Sequence, residues 1–194
     1  KSFKIALTKK YDLDDGEGIA WSNRELLQKV TSGNQYFKIV LSKAKDDYQA
    51  RVKALKVFEK KTDKLLQTIA VDCQSMGFNS VETGDFNFDG LEDLAIRNGN
   101  KGAYSSPSYD IYLAAAQNKF LLNNELTKLA SENLGMFDID KKLKQISIHQ
   151  KDGCCFDKTV NYKFDHKKGP YEDSSVIEDS SIADYVTVIT QKLV

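Results

Sequence analysis

The stretch Asp85-Phe86-Asn87-Phe88-Asp89-Gly90-Leu91-Glu92-Asp93 is where the chain's chemistry is most legible. Asp85, Asn87 and Asp89 occupy positions 1, 3 and 5 of the spacing D-x-N-x-D-G-x-x-D, and a tight loop turns such alternate oxygens toward one centre. Gly90, at position 6, permits the sharp bend that a Cβ would resist. Leu91 would offer its backbone carbonyl and Asp93 a carboxylate. An all-oxygen, carboxylate-rich set suits a hard cation and disfavours zinc or copper, so the expected cofactor is Ca2+. Ile96 stands where a helix–loop–helix site carries its bidentate Glu, and the flanks read as strands. The expectation is therefore a cation that braces a turn, not a sensor hand. Without it the clustered aspartates repel one another, which couples the ion to the stability of the fold.

A second constellation follows directly. Arg97 to Ser108 holds two Gly-containing bends, Tyr104, Ser105, Ser106, Pro107 and Ser108, before Tyr109-Asp110-Ile111-Tyr112-Leu113 resumes a strand. Small polar residues around a tyrosine suit recognition, the ring supplying contact area and the hydroxyls hydrogen bonds. The plainer reading is a β-connection.

Other chemistries find less support. Cys73, Cys154 and Cys155 are too few for a disulfide scaffold. One bridge is expected in an oxidising compartment, between Cys73 and either member of the doublet or within the doublet; spacing does not choose. His149 and His166 lack zinc-ligand spacing and no nucleophile stands at a recognisable offset. No GxSxG, HExxH or phosphate-binding Gly loop occurs, so Glu82 and Asp110 have nothing to arrange them as acid or base, and the expectation is that the protein is not an enzyme. The 28 basic and 28 acidic residues cancel, and no overall field recruits nucleic acid. Residues 1–64 nonetheless hold 15 Lys/Arg against 9 Asp/Glu, read as a solvated basic sheet face or as a partner surface. No apolar run approaches the ~20 residues of a membrane span. The chain opens at Lys1 without a Met, which fits a sequence read after a processed leader.

The elements that must position these sites are strands. Ser2–Leu7, Gln35–Leu41, Leu65–Val71, Lys144–His149, Thr159–Phe164 and Tyr185–Ile189 are β-branched, aromatic or alternating runs. Tyr48, Ala50, Val52 and Ala54 alternate, and the phase slips at Leu55, as a bulge would cause. Ser80-Val81 enters the acidic loop and Leu94-Ala95-Ile96 leaves it; Tyr109–Ala116 and Lys119–Leu122 form a hairpin around Gln117-Asn118. Ser22 with Glu25 has capping-box spacing and predicts a helix over 22–30, and Asn124–Leu129 predicts a single helical turn. The fold class is mainly β: one domain over 1–194, an antiparallel meander of propeller-like, sandwich or barrel type with one or two short helices.

The order Gly84-Asp85-Phe86-Asn87-Phe88-Asp89-Gly90-Leu91-Glu92-Asp93-Leu94-Ala95, then Ser106-Pro107-Ser108-Tyr109-Asp110-Ile111-Tyr112-Leu113, then Gly153-Cys154-Cys155, resembles a group of bacterial periplasmic proteins and lipoproteins. These are calcium-binding, propeller-like β proteins, and one branch acts as immunity proteins that inhibit lysozyme-like peptidoglycan hydrolases of bacterial-killing secretion systems. The resemblance spans roughly residues 66–165 and implies that a tyrosine and small-residue loop enters the hydrolase cleft. Carried over by position, that loop is Gly102, Tyr104, Ser105, Ser106 and Ser108; Ser106 replaces a glycine expected before the Pro, which implies a different cognate enzyme or none. It further implies an exported or periplasmic protein, with room for a lipid anchor on a precursor. The expected function is thus a calcium-binding inhibitor of a lysozyme-like hydrolase. The alternative is a calcium-dependent carbohydrate-binding or adhesion module, with Trp21, Tyr104 and Tyr109 as stacking rings.

Overall fold

The computed structural model describes residues 24–42, 51–74, 80–182 and 184–193. Three antiparallel sheets follow one another along the chain, each a meander in sequence order. Sheet one holds β1 (Arg24–Ser32), β2 (Gln35–Ser42), β3 (Arg51–Glu59) and β4 (Leu65–Gln74). Sheet two holds β5 (Val81–Gly84), β6 (Asp93–Gly99), β7 (Ser108–Ala115) and β8 (Lys119–Leu122). A short helix α1 (Asn124–Leu129) leads to sheet three, of β9 (Asp138–Asp140), β10 (Gln145–Asp152), β11 (Phe156–Asp165), β12 (Gly169–Asp179) and β13 (Thr187–Lys192). The mainly-β, antiparallel expectation holds, and no described sheet closes into a barrel. The expected strands Ser2–Leu7, and Tyr48 with Ala50, lie outside the described residues.

Sheet two is the middle layer. Leu94 and Ile96 of β6 and Tyr112 of β7 point into one cluster, with Phe37, Ile39, Leu41, Val52, Leu55 and Val57 of sheet one. Ala95, Tyr109 and Ile111 point into another, with Ile146, Ile148 and Val160 of sheet three and Leu126 and Ala130 from α1 and its end. A strand covered on both faces loses the apolar–polar alternation, which is why Leu94-Ala95-Ile96 reads as a continuous apolar run.

The helix expected over 22–30 is corrected: Arg24–Ser32 is a strand. Its inward positions alternate through Gln28 and Ser32, both buried, while Leu27 faces out. Ser32 pairs with Gln35 across the Gly33-Asn34 turn, where Gly33 has φ +48, as a two-residue hairpin loop with a glycine first requires. Glu25, offered by the sequence as a capping residue, instead bridges Lys56 at 2.5 Å and Lys38 at 3.6 Å across the sheet. Pairing with β2 overrides a local signal worth about 1 kcal/mol.

The slip read at Leu55 is real. Register shifts between Val52 and Ala54 against β4, so Val52, Leu55 and Val57 all face the core. The helical turn at 124–129 also forms, capped by the Asn123 side chain accepting from Leu126 N. Replacing Ile96, fully buried in the middle layer, with Ala is expected to cost about 2–5 kcal/mol in denaturant unfolding, as large-to-small changes in closed cores do. Leu27→Ala, at a side chain 66% exposed, should stay within about 0.5 kcal/mol.

Candidate functional site: an acidic loop and a tyrosine loop

The acidic loop joins β5 to β6, and its side chains close it. Asp85 accepts from Asp89 N at 3.0 Å with Oδ1 and from Gly90 N at 3.0 Å with Oδ2. Asn87 Oδ1 accepts from Asp89 N at 3.1 Å, while its Nδ2 donates to Asp89 Oδ2 at 2.8 Å. Leu91 N donates to Asp89 Oδ1 at 2.7 Å. Gly90 takes φ +88, the left-handed bend expected at position 6. Beneath the loop Phe86 is buried, its ring edge-on to Phe137 at 5.6 Å.

Asp93 differs from the other acids. It is wholly buried and has both oxygens engaged, Oδ2 by Phe86 N at 2.8 Å and Oδ1 by Ala114 N at 2.8 Å. Burial pushes its carboxyl up to about 6 against the pull of these two amides, and the charges of Asp89 and Asp85 push the same way. The three acids therefore interact electrostatically, and the negative field they create is one a cation would relieve. The donor chemistry fits a hard cation. Among the described residues, however, no three acidic, His or Cys side chains converge as a ready-made cage, because the loop's oxygens are turned to its own amides.

The far side of the loop meets sheet one. Glu92 Oε2 accepts from Gly33 N at 3.1 Å, and the Glu92 carbonyl accepts from Ser32 Oγ at 3.3 Å. Gly90, Leu91 and Glu92 form one wall of an open cleft of about 400 Å3 whose other wall includes Gly33, Glu59 and Leu66.

The tyrosine loop joins β6 to β7, and here the structure separates residues that the sequence groups. Ser108 is fully buried: its Oγ donates to Asn98 Oδ1 at 2.6 Å and accepts from Lys101 N at 3.1 Å. Asn98 in turn donates to Asp110 at 2.5 Å. Gly102 is buried against backbone, and a Cβ there would lie 2.6 Å from the Asn133 carbonyl and collide with Ser106 Oγ. Ser106 Oγ donates to that same carbonyl at 2.9 Å, and Ala103 N does so at 3.0 Å. Ser108, Gly102 and Ser106 thus hold the loop, while Tyr104 and Ser105 form its tip. Both tip residues adopt left-handed backbone, at φ 54 and φ 59, a conformation costing roughly 1–2 kcal/mol at a residue with a side chain. The Tyr104 ring is 66% exposed, and its hydroxyl accepts from Gly153 N at 3.0 Å.

That last bond leads to the cysteines. Cys154 and Cys155 are joined to each other in the turn between β10 and β11, so the alternative pairing through Cys73 is corrected. Cys73 is a buried free thiol on sheet one that donates to the Arg97 carbonyl at 2.9 Å. Tyr109, proposed as a stacking ring, is buried and donates to Glu82 at 3.1 Å; Trp21 lies outside the described residues. His149 is held on an exposed sheet face, with Asp138 2.9 Å from Nε2 and its cross-strand partner Thr159 3.2 Å from Nδ1. Asn133 is the contributor that sequence reasoning missed. It has no motif around it, and its role depends on contacts with the loop 27 positions away.

No protein-family model matches the chain, and no curated protein matches it in sequence. A Xanthomonas type IV secretion system related protein has a similar solved structure, with a TM-score of 0.71 over 96% of this chain and 94% of that one, at 17% identity. The chain shares that protein's fold.

Asp93→Ala removes the acceptor of one buried and one half-buried amide and is expected to cost on the order of 3 kcal/mol in cation-free denaturant unfolding, whereas Asp89→Ala, at an exposed position, should cost under about 1 kcal/mol there. Equal losses from the two changes would contradict the division of roles described for the loop.

Proposed function

We propose that the protein is a calcium-braced binding protein that occludes the active-site cleft of a lysozyme-like peptidoglycan hydrolase and performs no chemistry itself. The observation that carries this reading is the exposed Tyr104 ring, raised on two consecutive left-handed residues and pinned from three sides. A loop held so firmly around an exposed aromatic tip is preorganised for contact, and preorganisation lowers the ordering cost of binding. The sequence resemblance to hydrolase inhibitors bears on the same loop. Association with a secretion system is supported by the fold shared with the Xanthomonas protein. An exported location is supported by the Cys154–Cys155 disulfide, since such bonds persist in oxidising compartments. Among the described residues no helix is long and apolar enough to cross a membrane.

Ca2+ would be held by Asp85, Asn87 and Asp89, with the Leu91 carbonyl and Asp93 completing the set, and its charge would offset the mutual repulsion of the acids. Each Asp93 oxygen keeps a lone pair beyond the one its backbone amide uses. The ion would stiffen the β5–β6 junction, and β6 leads straight into the tyrosine loop.

Two measurements test the two halves. Calcium added to chelator-treated protein is expected to raise the melting temperature by several degrees, by about RT ln(1 + [L]/Kd) in free energy, and Asp89→Ala should abolish the rise. No calcium response in the wild type ends the metal reading. In turbidity assays, excess protein is expected to inhibit at least one purified lysozyme-type muramidase, with Tyr104→Ala weakening inhibition by tenfold or more, about 1.4 kcal/mol and above. Undiminished activity of every such enzyme overturns the inhibitor reading.

A further inference from the structure

The turn from β10 to β11 carries its disulfide between adjacent residues, so the bridge closes a small ring that includes the Cys154–Cys155 peptide bond. Asp152 pairs with Phe156, leaving Gly153, Cys154 and Cys155 as the turn, with Gly153 at φ +63. The ring restricts ψ of Cys154 and φ of Cys155, and so limits the conformations open to the three-residue turn that carries the Gly153 amide. On one side the turn is tied to the end of β12, the Cys155 carbonyl accepting from Ser180 N at 2.8 Å and from Ser180 Oγ at 3.2 Å. On the other it touches the recognition loop, Gly153 N–H donating to the Tyr104 hydroxyl at 3.0 Å. A covalent bond that can be opened therefore sits one residue from the donor that anchors the exposed ring.

Access favours exchange at this bridge. Cys154 is exposed and Cys155 half-buried. Cys73 is buried, and burial pushes its thiol up to about 11, which leaves too little thiolate for it to compete.

We propose that the thiol–disulfide state of Cys154 and Cys155 sets the presentation of Tyr104 and thereby controls hydrolase binding; the second half of the statement rests on the inhibitor reading above. The co-reactant is a dithiol. One of its thiolates attacks a sulfur of the bridge, breaking the Cys154–Cys155 bond and forming a mixed disulfide. The displaced cysteine sulfur leaves with the electron pair and takes up a proton. The second thiol of the reductant then displaces the remaining cysteine, which is protonated in turn. Two electrons and two protons pass to the protein, giving two cysteine thiols and one oxidised reductant. With the ring open the turn regains its torsional freedom, the Gly153 amide loses its fixed aim, and the strained Tyr104–Ser105 tip loses a restraint.

The test uses the full chain, oxidised or reduced with dithiothreitol, together with the Cys154→Ser/Cys155→Ser double variant and Tyr104→Phe. Hydrogen exchange at the Gly153 amide is expected to rise about tenfold on reduction. The double variant should show the same fast exchange with no response to dithiothreitol, and oxidised Tyr104→Phe should match reduced wild type. Nitration of Tyr104 should accelerate in parallel, while the amides of β11 stay protected. Unchanged Gly153 exchange and Tyr104 nitration between the two redox states would overturn the coupling. In the binding arm, oxidised protein is run over a panel of purified lysozyme-type muramidases, and reduction is expected to weaken capture about tenfold, reversibly on reoxidation. Equal capture in both states overturns control of binding. Should no muramidase bind the oxidised protein, the inhibitor reading and the claim of control over hydrolase binding fail together, and Gly153 exchange alone decides whether the disulfide governs Tyr104.

Discussion

A single buried carboxylate ties the acidic loop to the middle of the fold. Asp93 opens β6, yet its oxygens reach Phe86 in the loop and Ala114 near the end of β7. The Phe86 amide is thereby satisfied in the interior and the Ala114 amide at a half-buried position, and losing the carboxylate would orphan both. The cost is the desolvation of a negative charge with two further acids close by. Two backbone dipoles offset part of that cost and a cation would offset more. Loop geometry and the anchoring of sheet two are thus aspects of one electrostatic problem.

Sheet two converts that local arrangement into a rigid platform. Its β6 and β7 side chains fill two cores, so a displacement of either strand disturbs packing against sheet one and sheet three together. Close-packed interiors resist such shifts. The two loops at issue leave opposite ends of the same strand, the acidic one before Asp93 and the tyrosine one after Gly99. Their relative placement is fixed by β6 itself.

How much of this the sequence discloses depends on the range of the interaction. The turn from Asp85 to Leu91 is local: its internal hydrogen bonds join residues between two and five positions apart, and the D-x-N-x-D-G spacing encodes them directly, whereas the bonds of Glu92 and Asp93 reach further. Alternating strands such as β2 and β11 are legible for the same reason. β12 was not, because Tyr171-Glu172-Asp173-Ser174-Ser175 carries its pairing information in β11 and β13. The 22–30 stretch misleads because capping signals concern one helical turn, whereas the burial of Gln28, whose Oε1 accepts from Ser80 N, is decided 52 positions away. The cysteine pairing lay beyond reach too: adjacent residues and distant ones satisfy the same composition, and only the fold puts Cys73 inside sheet one.

The tyrosine loop shows what a motif by itself cannot say. Gly102, Tyr104, Ser105, Ser106 and Ser108 look alike on paper as small or hydroxylated recognition residues. Packing divides them, spending Gly102, Ser106 and Ser108 on the loop's attachment to Asn133 and Asn98 and leaving Tyr104 and Ser105 at the tip. That division explains why Ser106 can occupy a position where a glycine was expected. Its hydroxyl gains a bond to the Asn133 carbonyl, and the tight approach in the loop falls to Gly102 instead. It also accounts for the strain. Two left-handed residues with side chains persist only where their surroundings over-determine them, and here the determinants come from three separate segments: β7, the Asn133 region and the disulfide turn. The same left-handed pair recurs at Gln117 and Asn118 in the plain hairpin turn from β7 to β8, so what sets the tyrosine loop apart is its attachment to several segments and the exposed ring at its tip, not its backbone alone.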